Sequence, residues 1–164
     1  MSPIARFALL LPLALLVPSL ATAQEPTAAP ETEAPPPGYD EALAKSAGAD
    51  DYGMRQYVLV ILKSSSTPVP KGPERDEMFR GHFANMKRLA AEGKLALAGP
   101  LDGKEGWRGL FVFATADLEE AARLVASDPV VIKGEMVPEF HAYYGSAALM
   151  LVNESHKKLA KKSF

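Results

Sequence analysis

His82 and Asp128 are the two side chains whose types and settings suit proton transfer. His82 lies within residues 74–92, on the helical face that also carries Leu89, so its imidazole points toward a core or the rim of one. A carboxylate beside a buried imidazole fixes its tautomer and raises its basicity. Asp128 is held in a turn by Pro129, and we expect it to be that partner. The pair would serve general acid–base catalysis, with His82 as the base and Asp128 orienting it.

A structural interpretation of the same pair stays open. A lone histidine on an apolar helix face is more often a core residue with satisfied hydrogen bonds, and an Asp-Pro pair is common where a helix ends. In that case His82 and Asp128 would form a buried brace. The two interpretations differ in one respect, because a catalytic imidazole must reach solvent or a cavity and a brace need not.

Gly99 and Pro100 are expected to form the lip of a pocket beside His82. The proline cannot donate to a sheet, and the glycine lets a ligand approach the backbone closely. Trp107 opens the next predicted strand and is a further candidate for the lip, although packing within the hairpin would explain it equally well. The expected partner of this pocket is a small molecule.

Six segments with regular patterns must position these side chains. The first is apolar at nearly every position, which is typical of a strand covered on both faces. The second helix starts with a capping-box pattern at Asp117 and Glu120. The predicted strands are 56–63, 94–101, 107–115 and 137–145, and the predicted helices are 74–92 and 117–127. The order β-α-β-β-α-β predicts an α+β fold of the ferredoxin-like kind, with a four-stranded antiparallel sheet and two helices on one face.

The second face of this sheet is predicted to need a cover. The segment 56–63 is apolar on both sides, and the two helices occupy only one face. A second subunit packed sheet against sheet would bury the other face, so we expect a homodimer. The C-terminal tail could pack on that second subunit, touch an anionic surface or remain a solvated helix.

The chain divides into four parts by composition. Residues 1–23 have a positive start at Arg6, a short apolar run and a small-x-small cleavage site, which is typical of a secretory signal peptide. Residues 24–54 are rich in proline, alanine and glutamate and predict a disordered linker. Residues 55–145 would be the folded domain, and residues 146–164 form a basic tail of helical composition. Signal cleavage would leave a periplasmic or secreted protein without stable membrane insertion.

Composition excludes several classes of function. The chain has no cysteine, so disulfides, thiol catalysis and cysteine-ligated zinc sites are ruled out. Its 18 basic and 20 acidic residues give a net charge of -2, and no basic stripe interleaved with aromatic residues suggests a nucleic-acid partner. Phosphate-binding loops and nucleophile elbows are not found. His82, Asp128 and His141 could offer two imidazoles and a carboxylate to a metal, but the histidine spacing does not support such a site, and we expect no metal or cofactor.

The motifs around these residues resemble the YciI-like (YCII-related) domain. The resemblance covers about residues 56–145 and rests on His82 followed by "LAAEGKLALAGP", on "GWRGLFVF", on "LEEAARLVASDP" and on "PEFHAYYG". It implies a dimeric α/β barrel built from ferredoxin-like units. It also implies that His82 is an active-site histidine, sometimes proposed to be phosphorylated, and that Asp128 is the aspartate of the DP motif. His141 stands where similar sequences often have a histidine, so it joins the candidate substrate-binding residues, although Ala142 follows it in place of the usual proline.

These features together predict an exported small-molecule enzyme of lyase or isomerase type. A relative in the resembled family removes chloride from a hydroxylated aromatic ring, and a His–Asp pair in a half-apolar pocket suits such chemistry. The expected substrate is compact and aromatic or enol-like. The alternative is a module that binds a small molecule or forms a dimer without catalysis.

Overall fold

A four-stranded antiparallel sheet is the centre of the structure, a computed structural model that describes residues 34–162. Its strands are β1 (Met54–Ser64), β2 (Leu95–Pro100), β3 (Trp107–Phe113) and β4 (Met136–Ser146), and their order in the sheet is β2-β3-β1-β4. The α-helices of these residues are α1 (Glu41–Ala47), α2 (Pro73–Ala91), α3 (Leu118–Ala126), α4 (Pro129–Ile132) and α5 (Val152–Leu159). The succession β1-α2-β2-β3-α3-β4 confirms the predicted α+β, ferredoxin-like class.

Strand β1 is buried on both faces, as its apolar composition predicts. Val58, Val60 and Leu62 belong to the larger core cluster, which includes residues of α2 and α3. Tyr57 belongs to a second cluster, which it forms with Val112 of β3. Because alternate side chains of a strand point to opposite faces, the sheet has an apolar layer on each side.

Helix α2 carries the candidate histidine on the side that faces the sheet. The helix begins at Pro73, a residue favoured in the first turn because it has no N–H to satisfy. Its buried residues are Met78, His82, Asn85 and Leu89. Their spacing of three and four residues places them on one face, so the fold turns His82 inward.

Helix α3 starts at the predicted N-cap, Asp117, but the predicted capping box does not form. Asp117 accepts a hydrogen bond from the N–H of Glu119 at 2.8 Å. The Glu120 carboxylate accepts from the Thr115 hydroxyl at 2.7 Å, and that hydroxyl accepts from the N–H of Asp117 at 3.1 Å. Thr115 therefore satisfies the N–H that Glu120 would bind in a capping box.

Helix α4 lies where the sequence predicts an irregular segment. Asp128 is its N-cap, with the side chain accepting from the N–H of Val130 at 3.0 Å, and Pro129 is its first residue. Both residues favour the start of a helix. The prediction is wrong here because the Asp-Pro pair indicates the end of the helix before it, whereas the same two residues also start the next one.

The predicted linker contains a helix. Helix α1 is capped by the side chain of Asp40. Arg55 donates hydrogen bonds to the last carbonyl oxygen of α1 at 2.9 Å and to the carbonyl oxygen of Ala114 at 2.8 Å, which ties α1 to the sheet. Disorder is therefore a wrong prediction for this part of residues 24–54. The stabilising contact comes from a residue outside the segment, and composition does not reveal it.

The C-terminal segment covers part of the second face of the sheet. A 3₁₀ turn, Ala147–Leu151, follows β4. Its Leu149 and Met150 pack against the second cluster, formed by Tyr57, Ala96 and Val112. Helix α5 then lies beside the edge strand β2, where the side-chain amide of Asn153 donates to the carbonyl oxygen of Leu95 at 2.8 Å.

Another part of the second face stays exposed. Trp107 and Val137 both lie opposite Lys63 of β1 in the strand register, and Tyr143 lies opposite Tyr57. Their side chains are among the exposed large hydrophobic residues. The surface that carries these three residues is called the open patch below; on β4, Glu139 and His141 lie between Val137 and Tyr143.

Residues 1–33 and 163–164 lie outside the described part of the chain. The predicted signal peptide, 1–23, and the first part of the predicted linker, 24–33, fall among them. No helix within residues 34–162 combines the length and hydropathy needed to cross a bilayer.

Candidate functional site

His82 and Asp128 are in direct contact. Nδ1 of His82 lies 2.9 Å from each carboxylate oxygen of Asp128. The Asp128 carboxylate is fully buried, and the imidazole keeps 10% of its surface exposed. An ionised carboxylate can only accept hydrogen bonds, so Nδ1 carries the proton and donates it. This fixes the tautomer and leaves Nε2 as the basic nitrogen of the ring.

Asp128 is held by two further donors. The N–H of Val130 donates to Oδ1 at 3.0 Å, and the side-chain amide of Asn85 donates to Oδ2 at 3.3 Å. Asn85 is itself oriented, because its Oδ1 accepts from Arg88 at 2.7 Å and from the Ser127 hydroxyl at 3.3 Å. The carboxylate is therefore fixed in place by groups other than the histidine.

Gly81 allows the two helices that carry this pair to approach closely. A Cβ atom at this position would lie 2.9 Å from Cγ of Pro129, closer than real Cβ contacts come. The glycine of α2 thus faces the first residue of α4. Because His82 follows Gly81 and Asp128 precedes Pro129, the absence of a side chain at residue 81 brings the imidazole and the carboxylate together.

Aromatic rings surround the imidazole. The centroids of Phe79, Phe83 and Phe111 lie 6.1, 5.5 and 5.9 Å from the centroid of His82. The Phe79 ring meets the imidazole edge-on, at 87°. These contacts make one side of the site apolar and leave the carboxylate as the polar partner of the ring.

A cavity of about 650 Å³ adjoins the pair. His82 lines it together with the predicted lip residues Gly99 and Pro100, whereas Asp128 does not. The size is within the range of small-molecule sites, and the lining is mostly apolar with a few polar groups. Since Nδ1 is engaged by Asp128, Nε2 is the ring nitrogen that remains for a molecule in this cavity.

Trp107 and His141, the other two candidate substrate-binding residues, are not part of this lining. Both belong to strand positions opposite second-face residues of β1: Trp107 faces Lys63 and His141 faces Leu59. Nε2 of His141 lies 2.9 Å from Oε1 of Glu139. The hydrogen bonds of His141 and Lys63 to this carboxylate lower the pKa of Glu139. The structure therefore brings His82, Gly99 and Pro100 together and leaves Trp107 and His141 elsewhere.

The comparison with known proteins identifies the family of the chain. Residues 55–138 match the YCII-related domain. The chain belongs to the YCII-related domain family. A curated relative, "Uncharacterized protein YjpA" of Bacillus subtilis (strain 168), is 38% identical over 58 residues, which cover 35% of this chain and 66% of the relative. The chain thus covers just under two thirds of that relative's length.

The YCII-related match contains the pair and most of the cavity, but the C-terminal segment adds to it. Val152, Asn153 and His156 of α5 also line the cavity, and all three lie beyond residue 138. Sequence reasoning missed these residues, because nothing in a polar helix of mixed charge indicates which surface it will cover. The hydrogen bond from Asn153 to Leu95 of β2 joins residues that are distant in the sequence, so local patterns do not predict it.

Sequence reasoning also missed Asn85 and Arg108. Asn85 lies three residues after His82 on the same buried helix face, so a polar pair at helical spacing was available as a signal. Arg108 lines the cavity from β3, next to Gly109. Its neighbours in the sequence are apolar or small, and a single arginine within a strand carries no recognisable pattern.

Glu135 forms a buried ionic cluster beside this YCII-related site. Arg75 donates to one carboxylate oxygen at 2.5 Å, the N–H of Val69 donates to the other at 2.8 Å, and Arg108 lies 3.7 Å away. Burial alone would raise the pKa of Glu135. The hydrogen bonds from Arg75 and Val69 and the two guanidinium charges outweigh it and lower the pKa below the ordinary 4.5.

Within residues 34–162 no group of three or more histidine and acidic side chains converges as a metal site would require. His82 and Asp128 are together, but His141 pairs with Glu139 on the other face. The combination of His82, Asp128 and His141 considered for a metal therefore does not assemble.

Proposed function

We propose that this YCII-related protein is a small-molecule lyase or isomerase that uses His82 as a general base. The observation that carries the proposal is the position of the imidazole. Its Nδ1 is bound by the fully buried carboxylate of Asp128, and the ring lines a cavity of about 650 Å³. A structural brace has no need of a cavity on its free side, whereas an acid–base histidine does.

The chemistry follows from the fixed tautomer. Nε2 takes a proton from an acidic carbon or hydroxyl of the substrate, and the electron pair left behind forms the enolate or the new double bond. Asp128 stabilises the imidazolium that results. If the proton returns to a different carbon, the product is an isomer. If a leaving group departs with its electron pair, the product is that of a lyase and the proton passes to solvent.

The surroundings favour a compact aromatic or enol-like substrate. Phe79, Phe83 and Phe111 lie around the imidazole, and aromatic rings pack well against a flat ligand. Gly99 adds room at the lip, since a Cβ atom there would meet no atom within 4 Å. A flat molecule can therefore lie close to the backbone of β2.

The test is a ligand screen followed by an exchange measurement. Hydroxylated aromatic compounds and enol lactones are screened by thermal shift on the wild type and on His82→Gln side by side. Each hit is incubated with protein in D₂O, and deuterium incorporation at its acidic carbon is followed by NMR. We expect exchange to fall by at least about 100-fold in His82→Gln, because the general base is lost.

The matched control is His141→Gln, which changes an exposed histidine outside the cavity and should leave exchange unchanged. His82→Gln should still bind the hits, since glutamine can keep a donor toward Asp128. Undiminished exchange in His82→Gln would contradict the proposed base. If compounds bind but the wild type catalyses no exchange with any of them, the result favours the non-catalytic binding module instead.

We also propose that the protein is exported and acts as a homodimer. Residues 1–23 support export by their signal-peptide pattern, and the open patch supports a partner subunit on the second face. The N-terminus of the mature protein, read by mass spectrometry, tests the first point. A product beginning at Gln24 supports cleavage, and an intact Met1 in the secreted fraction contradicts it.

A further inference from the structure

Arg108 places a guanidinium group at the wall of the same cavity. Its side chain is 34% exposed, and the nearest carboxylate oxygen, on Glu135, is 3.7 Å from Nη1, which is beyond hydrogen-bonding distance. Among residues 34–162 the Arg108 guanidinium makes no hydrogen bond. A guanidinium has five N–H donors in a planar fork, so Arg108 can bind a ligand without giving up a hydrogen bond.

The charge beside Arg108 is only half neutralised. Glu135 is already bound by Arg75 at 2.5 Å and by the N–H of Val69 at 2.8 Å. Two guanidinium groups therefore share one carboxylate, and the cluster carries one formal positive charge in excess. This excess attracts an anion, and the largely apolar lining beside it screens the charge less than bulk water does.

The rest of the lining is consistent with an anionic ligand. The residues that line the cavity within the described part of the chain include Lys87 and His156 but no aspartate or glutamate. Most of the other lining residues are aliphatic or aromatic, such as Met86, Leu95 and Phe111. A ligand that fits has an apolar body and a negative group.

We infer that the cavity binds a compact aromatic or enol-like monocarboxylate, with Arg108 as the counter-ion of the carboxylate. A guanidinium and a carboxylate match in geometry through two parallel hydrogen bonds. Arg108 alone can bind both oxygens of a carboxylate, whereas a phosphate group has a third terminal oxygen that needs a further donor. The inference rests on the cavity of the proposed function and narrows its substrate class, and it names Arg108 as a specificity-determining residue.

Binding of simple probes tests this inference without knowledge of the natural substrate. Benzoate, benzamide and phenyl phosphate are titrated into ¹⁵N-labelled full-length protein, and amide shifts of β2 and β3 are followed by NMR. We expect benzoate to bind about tenfold more tightly than its neutral isostere benzamide, since a charge-assisted hydrogen-bonded pair is gained. In Arg108→Gln this preference should vanish, and benzamide binding should stay as it was.

Arg123→Gln is the matched control. Arg123 lies on α3, is largely exposed and does not line the cavity, so the preference for benzoate should persist. His82→Gln should also keep the preference while losing exchange, which separates a failure of the binding inference from a failure of the proposed chemistry. The inference is overturned by an unchanged preference in Arg108→Gln, by tighter binding of phenyl phosphate than of benzoate, or by no shift in β2 and β3 with any probe.

Discussion

The Asp128 carboxylate serves three donors at once: His82, Asn85 and the N–H of Val130. The same two oxygens cap the start of α4 and bind the imidazole. A residue of this kind is hard to replace, because each lost acceptor leaves a buried donor without a partner. We therefore expect its replacement to destabilise the protein more than the replacement of an ordinary N-cap residue does.

Asp128→Asn should lower the free energy of unfolding by about 2 kcal/mol. Asparagine has one acceptor oxygen for three donors, and its amide would face the amide of Asn85. Urea denaturation measures the change. The control is Asp117→Asn, at the exposed N-cap of α3, where asparagine caps as well as aspartate does. Equal losses in the two variants would contradict the special role of Asp128.

Glu135 gives the second residue-scale prediction, through pH. Its folded pKa lies below the ordinary 4.5, so its ionised form stabilises the folded protein at neutral pH. That contribution is complete above the unfolded pKa and is lost as pH falls below 4.5 toward the lower folded value. At pH 7 we expect Glu135→Gln to cost about 2 kcal/mol of unfolding free energy.

The measurement is a series of denaturation curves between neutral and acidic pH. The gap between wild type and Glu135→Gln should narrow as the pH drops, because the wild type becomes protonated at this position. Glu74→Gln serves as the comparison, since Glu74 pairs with Lys133 at the surface and surface pairs contribute little. A gap that stays constant with pH would show that Glu135 does not act through its charge.

The elements of the fold follow from sequence patterns more directly than the site does. The four strands and two long helices are predictable because the apolar residues of β1 and α2 repeat with the periods of a buried strand and an amphipathic helix. The turn at Asp128-Pro129 is predictable as a break, but not as the start of α4. Contacts between distant residues set the rest, such as Arg55 with α1 and Asn153 with β2.

The pair itself could be predicted because a histidine on an apolar face needs a partner and Asp128 is an acid fixed by a proline. Arg108 and His156 could not, since their place in the cavity depends on how β3 and α5 pack. Trp107 and His141 are predicted to line the pocket, but they lie outside it. Their residue types suit a binding site, but strand register decides which face they occupy, and a single position of register reverses it.

Gly81→Ala tests whether the close packing of α2 against α4 determines the geometry of the site. Alanine favours a helix by about 1 kcal/mol over glycine, yet its Cβ would lie 2.9 Å from the rigid ring of Pro129. We expect α4 to shift away from α2, with large ¹⁵N–¹H shift changes at His82, Asp128 and Val130. Unfolding free energy should not rise by the amount that helix propensity alone would give.

Gly93→Ala is not a suitable control, because Gly93 has a positive φ of 70°. Ala84→Gly is better, since it measures the difference between alanine and glycine at an exposed position of the same helix. If Gly81→Ala is more stable than the wild type by the full propensity gain and leaves the His82 signals unmoved, the close approach of α2 and α4 is not needed to place the pair.

At the scale of the whole molecule, the second face of the sheet has two kinds of surface. Leu149 and Met150 cover the part over β1 and β3. The open patch of Trp107, Val137 and Tyr143 lies uncovered in the single chain. The chain therefore buries only part of the face that a dimer would bury, and a partner would need to meet the open patch and the turn Ala147–Leu151 together.

Val137→Glu should convert the proposed dimer into a monomer. The substitution places a second carboxylate beside Lys63, which already pairs with Glu139, so a subunit packed on the open patch would bury a charge without a partner. Light scattering at micromolar concentration measures the molar mass. Ile132→Glu is the control, because Ile132 is also exposed and apolar but lies on α4. A wild-type mass near that of one chain would contradict the dimer.

The hydrogen bond from Asn153 to Leu95 has a consequence for how the protein behaves at high concentration. β2 is an edge strand of the sheet, and an edge with unpaired carbonyl groups can recruit a strand from another molecule and begin a fibril. Helix α5 lies beside that edge, and Asn153 occupies one of its carbonyl groups. The same helix that lines the cavity thus occupies an acceptor that a strand of another molecule would need for pairing with β2.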